Sequence, residues 1–210
     1  MVTAKLTRKE REKLRHKKEI LAAALHLFSS KGFHNVSMQE IAHASEFAVG
    51  TLYNFFESKE MLFDEMARNC GDKITSTLLA VLDGPGTEVE RLNNLIRYLP
   101  TLLEEHADFI RMYVSELGTR GAMLSKRRVT NISKVTFNAR LEQLLERGMR
   151  KGIFRRADPR ITMQAINSII ETLAFEIANR FDRNEAKEMF DKVEKLFVGG
   201  LLLPEGQDNG

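Results

Sequence analysis

Apolar residues recur along this chain at helical spacing, and capping residues, glycines and prolines punctuate the runs. Ile20, Ala24, Leu27 and Phe28 share one face before Lys31-Gly32, which predicts a first helix over about Lys9–Ser30. Ser37 followed three residues on by Glu40 is a capping box, so a short second helix starts there and stops near Ser45. A third short helix spans about Ala48–Phe55. Ser58 caps a long fourth helix, with an interruption expected at Gly71 and an end at Asp83–Gly86. Thr87 with Glu90 opens a fifth helix that runs to about Glu105, with a bend expected near Pro100. A sixth ends at Gly118, and a seventh runs from about Ser125 to Lys151. Asp158-Pro159 starts an eighth, which extends to about Phe181, and a ninth covers about Asn184–Leu202. The chain reads as all-α with about nine helices, three short ones followed by a larger helical bundle. The polar tail 205–210 is expected to be disordered.

Composition narrows the class. Hydrophobic residues make up 43% of 210, enough for a buried core. Cys70 stands alone, so there is no internal disulfide framework. No apolar stretch approaches the roughly 18 residues of a membrane span, and Ile20–Phe28 is preceded by charge and followed by no cleavage signature. The expected setting is the cytoplasm, with no membrane partner. Net charge is only +3, yet residues 1–20 hold eight Lys/Arg against Glu10, Glu12 and Glu19. Such a basic arm suits either a polyanionic partner or a solubilising tail.

The segment GTLYNFF carries the most unusual polarity. On a helical wheel Ala48, Val49, Leu52, Phe55 and Phe56 form one apolar face. The opposite side carries Gly50, Thr51, Tyr53 and Asn54, with no charge. A merely solvated face is normally rich in Lys and Glu. Small and hydrogen-bonding side chains suit close approach to another surface, and Tyr and Asn can donate to phosphates or base edges. Two short helices joined by a tight turn after a capping box read as helix-turn-helix.

The run ILAAALHLFSSKGFHNVSMQEIAHASEFAVGTLYNFFESKEMLFDEM, with its apolar helix ending LFSSKGF, then SMQEIA, then GTLYNFFESKEMLF, resembles the N-terminal DNA-binding module of the TetR family of transcription regulators. The resemblance implies a DNA-binding head over 1–57, an effector-binding and dimerisation domain over 58–204, and roles by position. Ser37 would cap the second helix and touch a phosphate. Thr51 and Tyr53 would contact backbone phosphates, Asn54 a base edge or phosphate, and Lys59 a phosphate. Gly50 and Val49 would lie on the reading surface. Lys17 and Lys18 of the arm would add non-specific affinity. Three positions depart from the family pattern: Glu46 where glycine is usual, Ala48 where a Ser or Thr cap is usual, and Val49 where a cation is frequent.

In the C-terminal half, the resemblance implies a small-molecule effector held among helices four to eight. The candidate lining is Phe109, Met112, Tyr113, Phe137, Leu141 and Phe175, with Arg111 and Glu116 as polar anchors, a set that suits an apolar or aromatic ligand. The eighth helix is apolar over most of its circumference. It is either a central core helix or, with the ninth, a two-fold interface through Ile166, Ile170, Ala174, Phe190, Val193 and Phe197.

Histidines 16, 26, 34, 43 and 106 show no metal-ligand spacing, and no Walker loop, GxGxxG or HExxH occurs. No metal, no cofactor and no catalysis are expected. The reading is a ligand-responsive homodimeric regulator, a repressor released from a palindromic double-stranded operator by its effector. The alternative is a helical small-molecule-binding or protein-interaction module whose DNA-reading head is weakened or lost.

Overall fold

The computed structural model describes residues 6–113, 132–178 and 182–201. Its elements are α1 (Arg8–Lys31), a 3-10 turn (Phe33–Asn35), α2 (Met38–Ala44), α3 (Val49–Phe55), α4 (Lys59–Leu82), α5 (Glu88–Glu105), α6 over 107–113, α7 (Ile132–Arg150), α8 (Pro159–Ala178) and α9 (Arg183–Leu201). The all-α class expected from the periodicity is the one observed. Glu116, Gly118, Ser125, Phe181, Leu202 and the tail 205–210 fall outside the described residues.

Local chemistry sets the helix starts. Ser37–Glu40 and Thr87–Glu90 both form reciprocal capping boxes, and a third, Thr7–Glu10, was not anticipated. The Asp158 carboxylate accepts from the Arg160 and Ile161 amides at 2.9 and 3.0 Å, with Pro159 in the first helical position. The interruption expected at Gly71 is absent: α4 is a single helix of 24 residues. One glycine costs a helix interior about 1 kcal/mol, too little to stop a cooperative helix that is packed on both sides of it. The helix α5 likewise continues through the buried Pro100.

The chain divides into two compact units. One holds the described residues up to Asn69 with Arg111–Tyr113, and the other holds Cys70–Ile110 with the described residues beyond 131. In the first unit, Ile20, Ala24 and Phe28 of α1 close on Ile41 and Ala42 of α2, Leu52 of α3, and Leu62, Phe63 and Met66 of α4, all essentially removed from water. Phe28, Phe33 and Phe63 stack mutually, with centroids 5.0–5.8 Å apart.

In the second unit, α9 packs along α5, α8 along α7, and α5 against α7. Leu92, Leu95, Ile96, Leu99, Leu102 and Leu103 form the apolar stripe of α5. Polar ties cross the same contacts. Arg97 of α5 donates twice to the Glu194 carboxylate of α9, at 2.8 and 2.7 Å, and Lys151 pairs with the largely buried Glu88 at 2.8 Å. The Asn167 side-chain amide of α8 donates to Asn138 of α7 at 3.0 Å. Beyond α7 the chain turns back, and the Ile153 and Phe154 amides both donate to the Gly148 carbonyl. The Arg155 amide then reaches the Leu201 carbonyl at 2.7 Å.

That turn lays the fully buried Phe154 ring on the Gly148 backbone. A Cβ at position 148 would sit 2.1 Å from the ring edge. Gly148→Ala is therefore expected to destabilise the chain by about 1–3 kcal/mol through overpacking, read as a lower urea midpoint with unchanged slope.

Candidate nucleic-acid interface

The recognition surface follows from how α3 is anchored. Leu52 is 0% exposed and Phe56 2%, so the inner edge of α3 is sealed against α1, α2 and α4 of the same unit. The wheel then forces Gly50, Tyr53 and Asn54 outward, and all three are exposed, Tyr53 at 49%. The side chains of Tyr53 and Asn54 have no hydrogen-bond partner among the described residues. A Cβ at Gly50 would meet nothing within 4 Å, so the surface there is open. Thr51 and Val49 lie half-buried at the margins of this face. Ala48, placed on the apolar side by the wheel, is exposed instead, because it is the N-cap residue and not part of the helical turn. It makes no side-chain cap bond.

The turn into α3 is strained. Glu46 has φ +59°, the left-handed region that costs a non-glycine residue roughly 1 kcal/mol, and its carboxylate is exposed. Before it, α2 starts at Ser37, whose hydroxyl accepts from the Glu40 amide at 3.2 Å and donates to the Glu40 carboxylate at 3.0 Å. Lys31 pairs with the same carboxylate at 2.9 Å.

The cations divide into committed and uncommitted. Lys59 donates to the carbonyls of Phe33 at 2.9 Å and Val36 at 2.7 Å and sits 4.5 Å from the Phe33 ring centre. It ties the end of the 3-10 turn to the start of α4, and this leaves one of its three N–H groups for any phosphate. Lys17 pairs with Glu65 and lies over Phe56. Lys18 is exposed, with no ion pair among the described residues. Sequence reasoning missed these commitments because carbonyl and carboxylate partners 20 or more residues away leave no local pattern.

The residues of the expected effector lining differ in their surroundings. Phe137 and Leu141 are packed in the core of the second unit, Phe109 and Met112 are buried, and Tyr113 is 40% exposed. Arg111 is exposed, Glu116 lies outside the described residues, and so does the side chain of Phe175. A concavity of about 660 Å³ occurs elsewhere, along α5 and α9, bordered by Arg97, Pro100, Lys187, Phe190 and Lys195.

The expected interface set is also divided. Ile166 and Phe190 are 3% and 1% exposed within one chain, so they belong to its core and offer no area to a second copy. The side of each helix that they occupy is covered by α7 or α5 of the same chain. Ile170, Ala174, Val193 and Phe197 are half-buried against the same core, and among the described residues Ile161 and Leu196 are the large apolar groups of these helices that stand exposed.

Comparison with known proteins places this architecture. The profile described as bacterial regulatory proteins, tetR family, matches residues 20–66, and the tetracyclin repressor-like C-terminal domain matches residues 89–188. Together they cover more than two thirds of the chain. An uncharacterised HTH-type transcriptional regulator of Bacillus subtilis, YuxN, is 35% identical over 111 residues, which is 51% of this chain and 35% of that protein. The HTH-type transcriptional repressor KstR2 of Mycobacterium tuberculosis is 28% identical over 98 residues, 47% of this chain and 49% of its own length. The chain thus spans about a third to a half of these curated relatives. Another Bacillus subtilis regulator, YhgD, is 25% identical over 195 residues, 88% of this chain and 96% of that protein. The FadR regulator of Bacillus subtilis, solved with stearoyl-CoA, superposes with a TM-score of 0.73 at 21% identity, over 88% of this chain and 98% of that one. The structure of KstR2 gives 0.65 at 20%, over 90% and 95%. No helix among the described residues is long and apolar enough to cross a membrane, and no group of three potential metal ligands occurs among them.

The α2 start makes a pH signature. The Lys31 ammonium first, then the Ser37 amide and hydroxyl, hold the Glu40 carboxyl down from 4.5 to about 2. A depressed carboxyl stabilises the fold above its unfolded value and loses that contribution as pH falls through the folded one. Stability of the head is therefore expected to decline between about pH 4.5 and about pH 2. Glu40→Gln should lower the urea midpoint at pH 7 and converge with the parent near pH 2. Removing the strain instead, Glu46→Gly should raise the midpoint at pH 7 by the equivalent of about 1 kcal/mol.

Proposed function

Because the chain belongs to the tetR family of bacterial regulatory proteins, we propose that it is a ligand-responsive transcriptional repressor acting in the cytoplasm. It binds a palindromic double-stranded operator as a homodimer and leaves it when a small effector binds. The observation that carries this reading is the face of α3: Gly50, Tyr53 and Asn54 are exposed and uncharged, with no hydrogen-bond partner for either polar side chain among the described residues. Such a face stays solvated at no gain unless something with donors and acceptors docks on it.

In this reading, residues 1–57 form the DNA-binding head and 58–204 the effector and dimerisation part. Tyr53 and Thr51 hold phosphates, Asn54 meets a base edge, and the open space at Gly50 admits the duplex backbone. The effector is apolar or carries an apolar tail, in keeping with the stearoyl-CoA held by the similarly folded FadR. Binding shifts the population toward a state in which α4 carries the paired heads to a spacing that no longer matches two half-sites one helical turn apart. No catalytic constellation enters.

A second reading is favoured by one specific feature. The strained, acidic Glu46 and the uncapped start of α3 fit a module whose DNA affinity has been lowered. A single experiment separates the two. Duplexes are selected from a randomised pool by the parent protein and affinities measured at fixed salt. Tyr53→Phe and Asn54→Ala are each expected to weaken retention about tenfold, the worth of one hydrogen bond to a phosphate or a base edge, and Glu46→Gly to tighten it. If both α3 variants bind as well as the parent, the reading surface is wrongly assigned. If the parent selects nothing, the second reading stands.

A further inference from the structure

The first three turns of α1 extend beyond the core of their unit: Ile20 is the first buried residue of the helix, yet it begins at Arg8. These turns are ordered by the Thr7–Glu10 capping box, in which the Thr7 amide donates to Glu10 at 2.8 Å. They form a rod about 18 Å long.

The sides of this rod are not equivalent. At 100° per residue, Lys9, Lys13, His16 and Ile20 fall within about 60° of one another. Ile20 points into the core, and the His16 ring lies against Phe47, with centroids 4.9 Å apart. Phe47 belongs to the turn that delivers α3. The row therefore faces that turn, and its next two members, about 5 and 10 Å further along the axis, are Lys13 and Lys9. Both are exposed, and neither has an ion pair or hydrogen bond among the described residues. Side chains of a helix lean toward its N-terminus, which carries both ammonium groups further outward. Of the cations on other sides, Lys17 pairs with Glu65, Arg8 with Glu12, Arg15 with Glu19, and Arg11 with the Leu6 carbonyl, while Lys18, exposed and without an ion pair among the described residues, points away from this row.

We propose that Lys9 and Lys13 form a second phosphate-binding site that grips the DNA backbone outside the segment read by α3. The proposal rests on the DNA-binding reading above. Two mobile ammonium groups on a preformed helix suit point-charge contacts to phosphate oxygens rather than base readout. The capping box spares the duplex the entropic cost of ordering a flexible arm. The consequence is a footprint longer than the half-site, with the added affinity indifferent to sequence.

The test uses the full chain and the duplex that the parent selects. Affinities are measured from roughly 50 to 300 mM KCl for the parent, for Lys9→Gln/Lys13→Gln and for Arg11→Gln, on the selected duplex and on one trimmed of its flanks. Each lost phosphate contact lowers the slope of log K against log salt by about 0.9. The double lysine variant, which gives up two contacts in each protomer of the dimer, should lose about 3.6 of slope with its base preference intact. Trimming should lower the parent's slope by a similar amount and leave the double variant unchanged. Arg11→Gln removes the same charge from the opposite side and should keep the parent's slope. A double variant with the parent's slope on the full duplex overturns the site, and so does an Arg11→Gln loss of half the double variant's or more. A parent that retains no duplex in a salt-dependent way overturns the repressor reading, and this site with it. All three side chains are exposed, and circular dichroism should show unchanged helix content.

Discussion

Everything at the reading surface depends on how firmly one short helix is held from behind. The helix α3 has only 7 residues, too few to persist alone in water. It carries no side-chain cap and follows a strained residue. What keeps it is the sealing of Leu52 and Phe56 into an aromatic-rich core shared with α1, α2 and α4. Once those two are inside, the helical period leaves no freedom: Tyr53 and Asn54 face water. Lys59 reinforces the arrangement by bonding the Phe33 and Val36 carbonyls next to the same core. Burial of two apolar side chains thus fixes the orientation of two polar ones, and any DNA affinity is set by packing as much as by the contacting groups.

Much of this was legible in the sequence, because the signals were local. Ser37–Glu40, Thr87–Glu90 and Asp158-Pro159 each announce a helix start within four residues, and each start is observed. The alternation of Leu52 and Phe56 with Tyr53 and Asn54 needs only the helical period. What could not be read depends on partners distant along the chain. Nothing near Lys59 indicates that its ammonium is occupied by carbonyls more than twenty residues earlier, and nothing near Lys17 indicates Glu65. Gly71 misled for a related reason: its propensity penalty is local and small, while the packing that carries α4 past it comes from elsewhere.

The helices α8 and α9 show a different limit. The apolar positions of α8 wrap too far round to be satisfied by one neighbour, which the sequence reveals. Which stripe meets the chain's own α5 and α7 and which meets something else is a question of three-dimensional placement. Ile166 and Phe190 turned out to be inward, whereas Ile161 and Leu196 stand outward. Periodicity identifies surplus apolar surface but does not say which part of it is left over.

The hydrogen bond from the Arg155 amide to the Leu201 carbonyl joins the segment after α7 to the far end of α9, closing a loop through α8 and α9. A helix at the end of a chain ordinarily frays independently, turn by turn. Here the last described turn of α9 is latched to the connection that also carries Phe154 into the core. Opening at that end must strip a partner from the middle of the sequence, so the last described turn of α9 comes away only when this bond to the segment after α7 breaks with it.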